Sequence, residues 1–138
     1  MTARQAFARL PGFLLAVAGA GFVVLGLSLE PDPRGFGTHL QLGLPPCAFL
    51  SDWNLPCPTC GVTTAFTLVT HGRLLEATIT QPFGALLGVI ALLLPSLFAA
   101  SAVAPALDPA ALVARMGPLR VLAGIAAAAL AAWGIRLL

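Results

Sequence analysis

The chain has 138 residues, 59% hydrophobic and only 9% charged, with a formal net charge of +2 carried entirely by arginine on the basic side. An average soluble domain is about 25% charged, so an ordinary soluble globule is excluded, and the scattered arginines form no nucleic-acid patch. What remains is a small all-α integral membrane protein in contact with the lipid bilayer.

Charges mark the membrane segments, because one at mid-bilayer costs about 2.5 to 3.5 kcal/mol. A charge-free window of 20 residues runs from Leu10 to Leu29, giving a first transmembrane helix over 10–29. The basic residues Arg4 and Arg9 before it also suit a signal peptide. The window is too long for a signal-peptide core, however, and Leu27-Ser28-Leu29-Glu30-Pro31 lacks a small-residue cleavage pattern, so an uncleaved anchor is expected. A second window of 31 residues, Ala77 to Leu107, holds a span over 81–103. Pro82 falls in its first turn, where a missing N–H costs nothing, and Pro95 falls in its interior, where a bend is expected. The third window, Val121 to Ile135, has 15 residues, so a span over 118–138 needs Arg120 and Arg136 to snorkel to the interfaces. Small residues in the first span (Ala16, Gly19, Ala20, Gly26) and in the third (Gly124, Ala128) allow close helix approach, to a partner or a second copy.

An inside N-terminus puts four arginines (Arg4, Arg9, Arg115, Arg120) in the cytoplasm and three (Arg34, Arg73, Arg136) outside. The expected orientation is therefore N-in and C-out, with the loop over residues 30–80 extracytoplasmic, where disulfides persist.

That loop gathers all three cysteines, both histidines and four of the five acids. It holds no Ser/His/Asp order, Walker loop, HExxH or GxGxxG. Prolines and glycines break residues 30–55 into an expected extended loop on the membrane surface. Trp53 suits the headgroup level, and Asp52 and Glu76 read as solvated charges. From Pro58 to Thr70 a short interfacial or re-entrant helix is expected, with Cys57 as its N-cap and Gly72 as its stop. Val62, Ala65, Phe66 and Val69 share one face of it; Thr63, Thr67 and Thr70 share another.

Three readings of the cysteines follow. In the redox reading, the positive helix end lowers the Cys57 pKa, Cys57 attacks a disulfide or quinone-like acceptor, and Cys60 resolves it. In the metal reading, Cys47, Cys57 and Cys60 form a Cys-x9-Cys-x2-Cys set for zinc or another soft metal, with His71 or His39 as a fourth ligand. In the structural reading, a disulfide or buried thiols pack the loop.

Leu42-Gly-Leu-Pro-Pro-Cys47, Leu55-Pro-Cys57-Pro-Thr-Cys60-Gly-Val-Thr-Thr-Ala-Phe66, His71-Gly72-Arg73-Leu74 and Gln81-Pro82-Phe83 resemble the bacterial membrane-protein family called domain of unknown function 2752, over about residues 38 to 95. The sequence departs from the family pattern at Thr64, where many members have Arg, and at Gln81, where Asn is common. The resemblance implies a bacterial source, a membrane location and a cysteine-centred site at Cys47, Cys57 and Cys60, and it names no reaction. The expectation is a protein of the bacterial inner membrane whose cysteine site is structural or metal-binding and which joins a membrane complex; thiol-disulfide oxidoreductase activity through Cys57 and Cys60 is the alternative.

Overall fold

The structure, a computed structural model, describes residues 3–102, 104 and 107–137. The described residues form helices and no strands: α1 (Ala3–Ser28), a 3₁₀ turn (Thr38–Leu42), α2 (Ala48–Trp53), α3 (Val62–Thr70), α4 (Leu74–Thr80), α5 (Pro82–Ala100), α6 (Pro109–Met116) and α7 (Pro118–Leu137). The expected ends of the second span at 103 and of the third at 138 lie outside the described residues.

Two helices, Arg9–Ser28 and Pro82–Ala100, are long and apolar enough to cross a membrane. They pack antiparallel. Phe13, early in α1, meets Phe98, late in α5, edge to face with ring centroids 5.7 Å apart, and Gly19 lies against the Ala91 carbonyl. α5 continues through Pro95, as a membrane helix can when its neighbours satisfy the freed carbonyl. α6 and α7 form a bent pair with 88° between them. Gly117 makes the corner at φ 82°, a conformation that strains residues bearing a Cβ. Asp108 caps α6 by accepting from the Ala110 and Ala111 amides, and its carboxylate fills the space beside Gly12. α6 is thereby held against the start of α1.

The buried centre lies around the shortest part of the bundle. Ala65, Leu68 and Val69 of α3, Ala77 of α4 and Ala85 of α5 form the core cluster, with Val89 packed against it. Gly84 sits on the Val62 backbone and Gly88 on the Val69 side chain. These paired contacts show α3 running alongside the first half of α5 in the same direction. Gly72, at φ 76°, then reverses the chain, and α4 returns it to Gln81, where α5 begins. The resulting α3–α4 hairpin is wedged into the bundle, and Phe66 reaches Phe22 of α1 with centroids 6.2 Å apart.

Four expectations are corrected here. The helix expected from Pro58 starts at Val62, because Gly61 takes φ 84° and acts as its N-cap, leaving residues 58–61 as a turn. The face expected to carry Thr63, Thr67 and Thr70 is partly interior, for Thr67 is as buried as Ala65. The loop over residues 30–55 is not simply extended, since it winds into a 3₁₀ turn and α2. Close helix approach uses Gly84 and Gly88 of α5 as well as Gly19 and Gly26 of α1, whereas Gly124 of α7 faces open space.

Candidate functional site: a thiol pair at the end of the bundle

The loop that carries the cysteines is organised by its own polar side chains. Asp32 accepts from the Arg34 amide at 2.9 Å and from its guanidinium at 2.7 and 3.0 Å, and Arg34 lies over the Phe36 ring, 5.3 Å from the centroid. The Arg34 side-chain and backbone hydrogen bonds hold the Asp32 carboxyl down at about 2. The Gln41 carboxamide pairs with the Glu30 backbone in both directions. Thr38 takes the Asp32 amide and shares a buried 2.9 Å hydrogen bond with Thr64 of α3. Thr64 thus pins the loop to the hairpin.

This scaffold puts Cys47 at the N-cap of α2. The Leu50 amide is the largest influence on its sulfur, joined by the thiol and amide of Cys57 and by the Phe49 amide; together they hold the Cys47 thiol below its ordinary value, while burial opposes them. Anion stabilisation by amides at a helix start is what the sequence suggested for Cys57. In the structure the cysteine at a helix N-cap is Cys47, and its side chain makes no capping hydrogen bond. Both cysteines carry free thiols, and Cys57 is a close enough neighbour to help lower the Cys47 thiol.

Cys57 itself is in an extended stretch between Pro56 and Pro58, with its sulfur 3.4 Å from the Thr59 hydroxyl. Its carbonyl accepts from the Cys60 amide at 3.0 Å, closing the turn into α3. Cys57 and Cys60 therefore close a turn ahead of α3 and do not cap it. Cys60 is buried, 6% exposed, and with Cys47, Arg34, Phe36 and His39 it lines a cavity of about 220 Å³ that Cys57 does not reach.

The two histidines part company. His39 donates through Nε2 to the Pro45 carbonyl at 3.2 Å, which aims the ring at the cavity wall beside Cys47. His71 caps the far end of α3 and donates through Nδ1 to the Thr67 carbonyl at 2.9 Å. Nine helical residues separate it from the cysteine turn, about 13 Å at 1.5 Å per residue. His71 is thus not beside Cys47, Cys57 and Cys60, and among the described residues no three His, Cys, Asp or Glu side chains gather as a metal-ligand group.

Glu76 is paired with Arg73 on the exposed side of α4. Trp53 is 65% exposed and packs edge to face on Phe49.

Residue-by-residue reading missed two contributors. Gln81 is fully buried: its Oε1 accepts from the Phe83 and Gly84 amides and its Nε2 donates to the Pro58 carbonyl at 3.1 Å. Trp133 of α7 donates from Nε1 to the Pro56 carbonyl at 2.8 Å. Gln81 was signalled by its place immediately before the helix-starting Pro82. Nothing in the sequence connects Trp133 to residue 56.

The matched family segment begins at Cys47 and ends at Pro95. It fits the model of DUF2752, described as a protein of unknown function. Over that segment the chain resembles DUF2752, and the segment is the part of the fold just described: the cysteine turn, the wedged hairpin and most of α5. α1, α6 and α7 lie outside the DUF2752 match. No curated protein matches the chain, and no solved structure does.

Proposed function

We propose that this is a bacterial inner-membrane protein of three spans whose Cys47–Cys57 pair exchanges disulfides at the extracytoplasmic end of the bundle. The observation that carries the reading is two neighbouring free thiols, with Cys57 and the Leu50 amide among the groups that hold the Cys47 thiol below its ordinary value. The three-span topology is supported by Trp133: α7 starts near the α1 N-terminus, through α6, and ends at the cysteine turn. The arginine distribution favours the N-terminus in the cytoplasm. The α3–α4 hairpin is then re-entrant, and the apolar faces of α1, α5 and α7 meet lipid.

In the forward step the Cys47 thiolate attacks one sulfur of an incoming disulfide. A mixed disulfide forms and the other sulfur leaves as a thiolate that takes a proton. The Cys57 sulfur then attacks Cys47, gives up its proton and displaces the second thiol. The two cysteines are oxidised by two electrons to a bridge, and the incoming disulfide is reduced to two thiols. Low thiol pKa and an adjacent resolving sulfur are what such exchange requires.

The same pair supports a purely structural bridge, and soft-metal binding at Cys47, Cys57 and Cys60 draws on the cavity wall that Cys47, Cys60 and His39 share. One experiment separates the three: disulfide mapping and intact mass of the membrane-extracted protein, alkylated with and without graded reductant, alongside elemental analysis. A mildly reducible Cys47–Cys57 bridge supports exchange. A bridge that resists mild reductant supports the structural role, and stoichiometric zinc with protected thiols supports the metal site; either result overturns exchange.

A further inference from the structure

The segment Pro56-Cys57-Pro58 has an unusual set of backbone handles. Two of its three residues lack an N–H, and Cys57, preceding a proline, is restricted to extended conformations. The segment can be gripped mainly through its carbonyls. Each is taken. The Pro56 carbonyl accepts from Trp133 Nε1, the Cys57 carbonyl from the Cys60 amide, and the Pro58 carbonyl from Gln81 Nε2. The one remaining N–H is that of Cys57, a residue among the neighbours that hold the Cys47 thiol below its ordinary value.

The two side-chain clamps come from different membrane helices. Gln81 is the N-cap of α5, fully buried and locked by the Phe83 and Gly84 amides. Trp133 sits one residue after Ala132, a buried residue of α7. A buried carboxamide in use at both ends is a rigid strut, and an indole N–H has one direction in which to donate.

From this geometry we infer that Gln81 and Trp133 are positioning residues that hold Cys57 against Cys47, so that α7, outside the DUF2752 match, completes the thiol site. The inference rests on the Cys47–Cys57 reading for its chemical use. Withdrawing either clamp frees a flanking carbonyl and lets Cys57 swing away from Cys47.

The test uses the full-length chain in membranes with Trp133→Phe, which keeps an aromatic ring and deletes the donor, and with Gln81→Met, which keeps side-chain length and deletes the carboxamide. Maleimide labelling of Cys57 and of Cys47 is followed under reducing conditions across pH, and closure of the Cys47–Cys57 bridge is timed with glutathione disulfide. For Trp133→Phe the expected result is Cys57 labelling about three- to tenfold faster and bridge closure slower by a similar factor, the change that losing one net hydrogen bond corresponds to. The midpoint of Cys47 labelling should also move up toward the ordinary thiol value, which general loosening of packing would not produce while the melting temperature stays put. Gln81→Met also loses the α5 cap and can fail to fold; Trp133→Phe touches no cap, so it decides the matter. Unchanged Cys57 labelling and an unchanged Cys47 midpoint in Trp133→Phe overturn the inference. If the parent chain forms no bridge, exchange fails on its own, and the labelling comparison still accepts or rejects the clamp.

Discussion

α3 and α7 are opposites. α3 has nine residues, four of them threonine, and is packed on most sides; α7 has 20 residues, is almost wholly apolar, and is exposed along most of its length. The helix without hydroxyls is the less buried one. In a membrane protein apolarity suits contact with lipid, which is as apolar as leucine, whereas the protein interior is assembled from small residues and paired hydroxyls. Thr64 makes such a pair with Thr38, and Gly84 and Gly88 let α3 approach α5.

The contrast breaks most sharply at Gly84. A Cβ there would meet the Val62 carbonyl oxygen at 2.6 Å and its Cα at 2.8 Å, and backbone cannot step aside as a side chain can. Gly84→Val should cost more than the ~1–3 kcal/mol of ordinary overpacking, read as a collapse of the detergent melting temperature or loss of extractable protein. Gly88 meets only the Val69 side chain, so Gly88→Ala should fall within that range.

A smaller effect of opposite sign is expected at Thr67. Its buried hydroxyl has no hydrogen-bond partner among the described residues. Thr67→Val, nearly isosteric, should stabilise by roughly 1 kcal/mol, the low end of the cost of an unsatisfied buried group, seen as a raised melting temperature. On α7, Gly124 faces open space, and Gly124→Ala should stay within about 0.5 kcal/mol. A large loss there would show that this face is covered by protein rather than lipid.

The smallest expected effect is electrostatic. Asp32, held at about 2 by Arg34, sits below its ordinary carboxylate value, so its support of the loop is fully present above about pH 4 and is lost as pH falls through 2. Loop order reported by a probe at Phe36 should persist from neutral pH to about 4 and then decline. Asp32→Asn should abolish that acid transition.

Hydropathy made the lipid-facing part of this fold legible. The windows opening at Leu10 and Ala77 and the Pro82 helix start follow from charge spacing and from proline's missing N–H, and they correspond to the two long apolar helices. The wedged hairpin was less legible because its signals compete. Pro58 announces a helix start, yet Gly61, three residues on, takes the left-handed conformation and delays α3 to Val62. That delay moves Cys57 away from a helix start; α2, six residues long and hidden among Pro-Pro and Gly signals, has Cys47 at its N-cap instead. The cysteines themselves were visible as the place to look. Their partnership was not, because it depends on how the 3₁₀ turn, α2 and the Pro56–Pro58 stretch meet, and that meeting is set by Thr38–Thr64, Gln81 and Trp133 across 23 to 77 residues of sequence.

The most direct measurement is disulfide mapping of the chain after mild oxidation with glutathione disulfide in native membranes. The account predicts a Cys47–Cys57 bridge that forms equally well in Cys60→Ser and reopens with mild reductant. A bridge between Cys57 and Cys60, or no bridge while both remain open to alkylation, would contradict it.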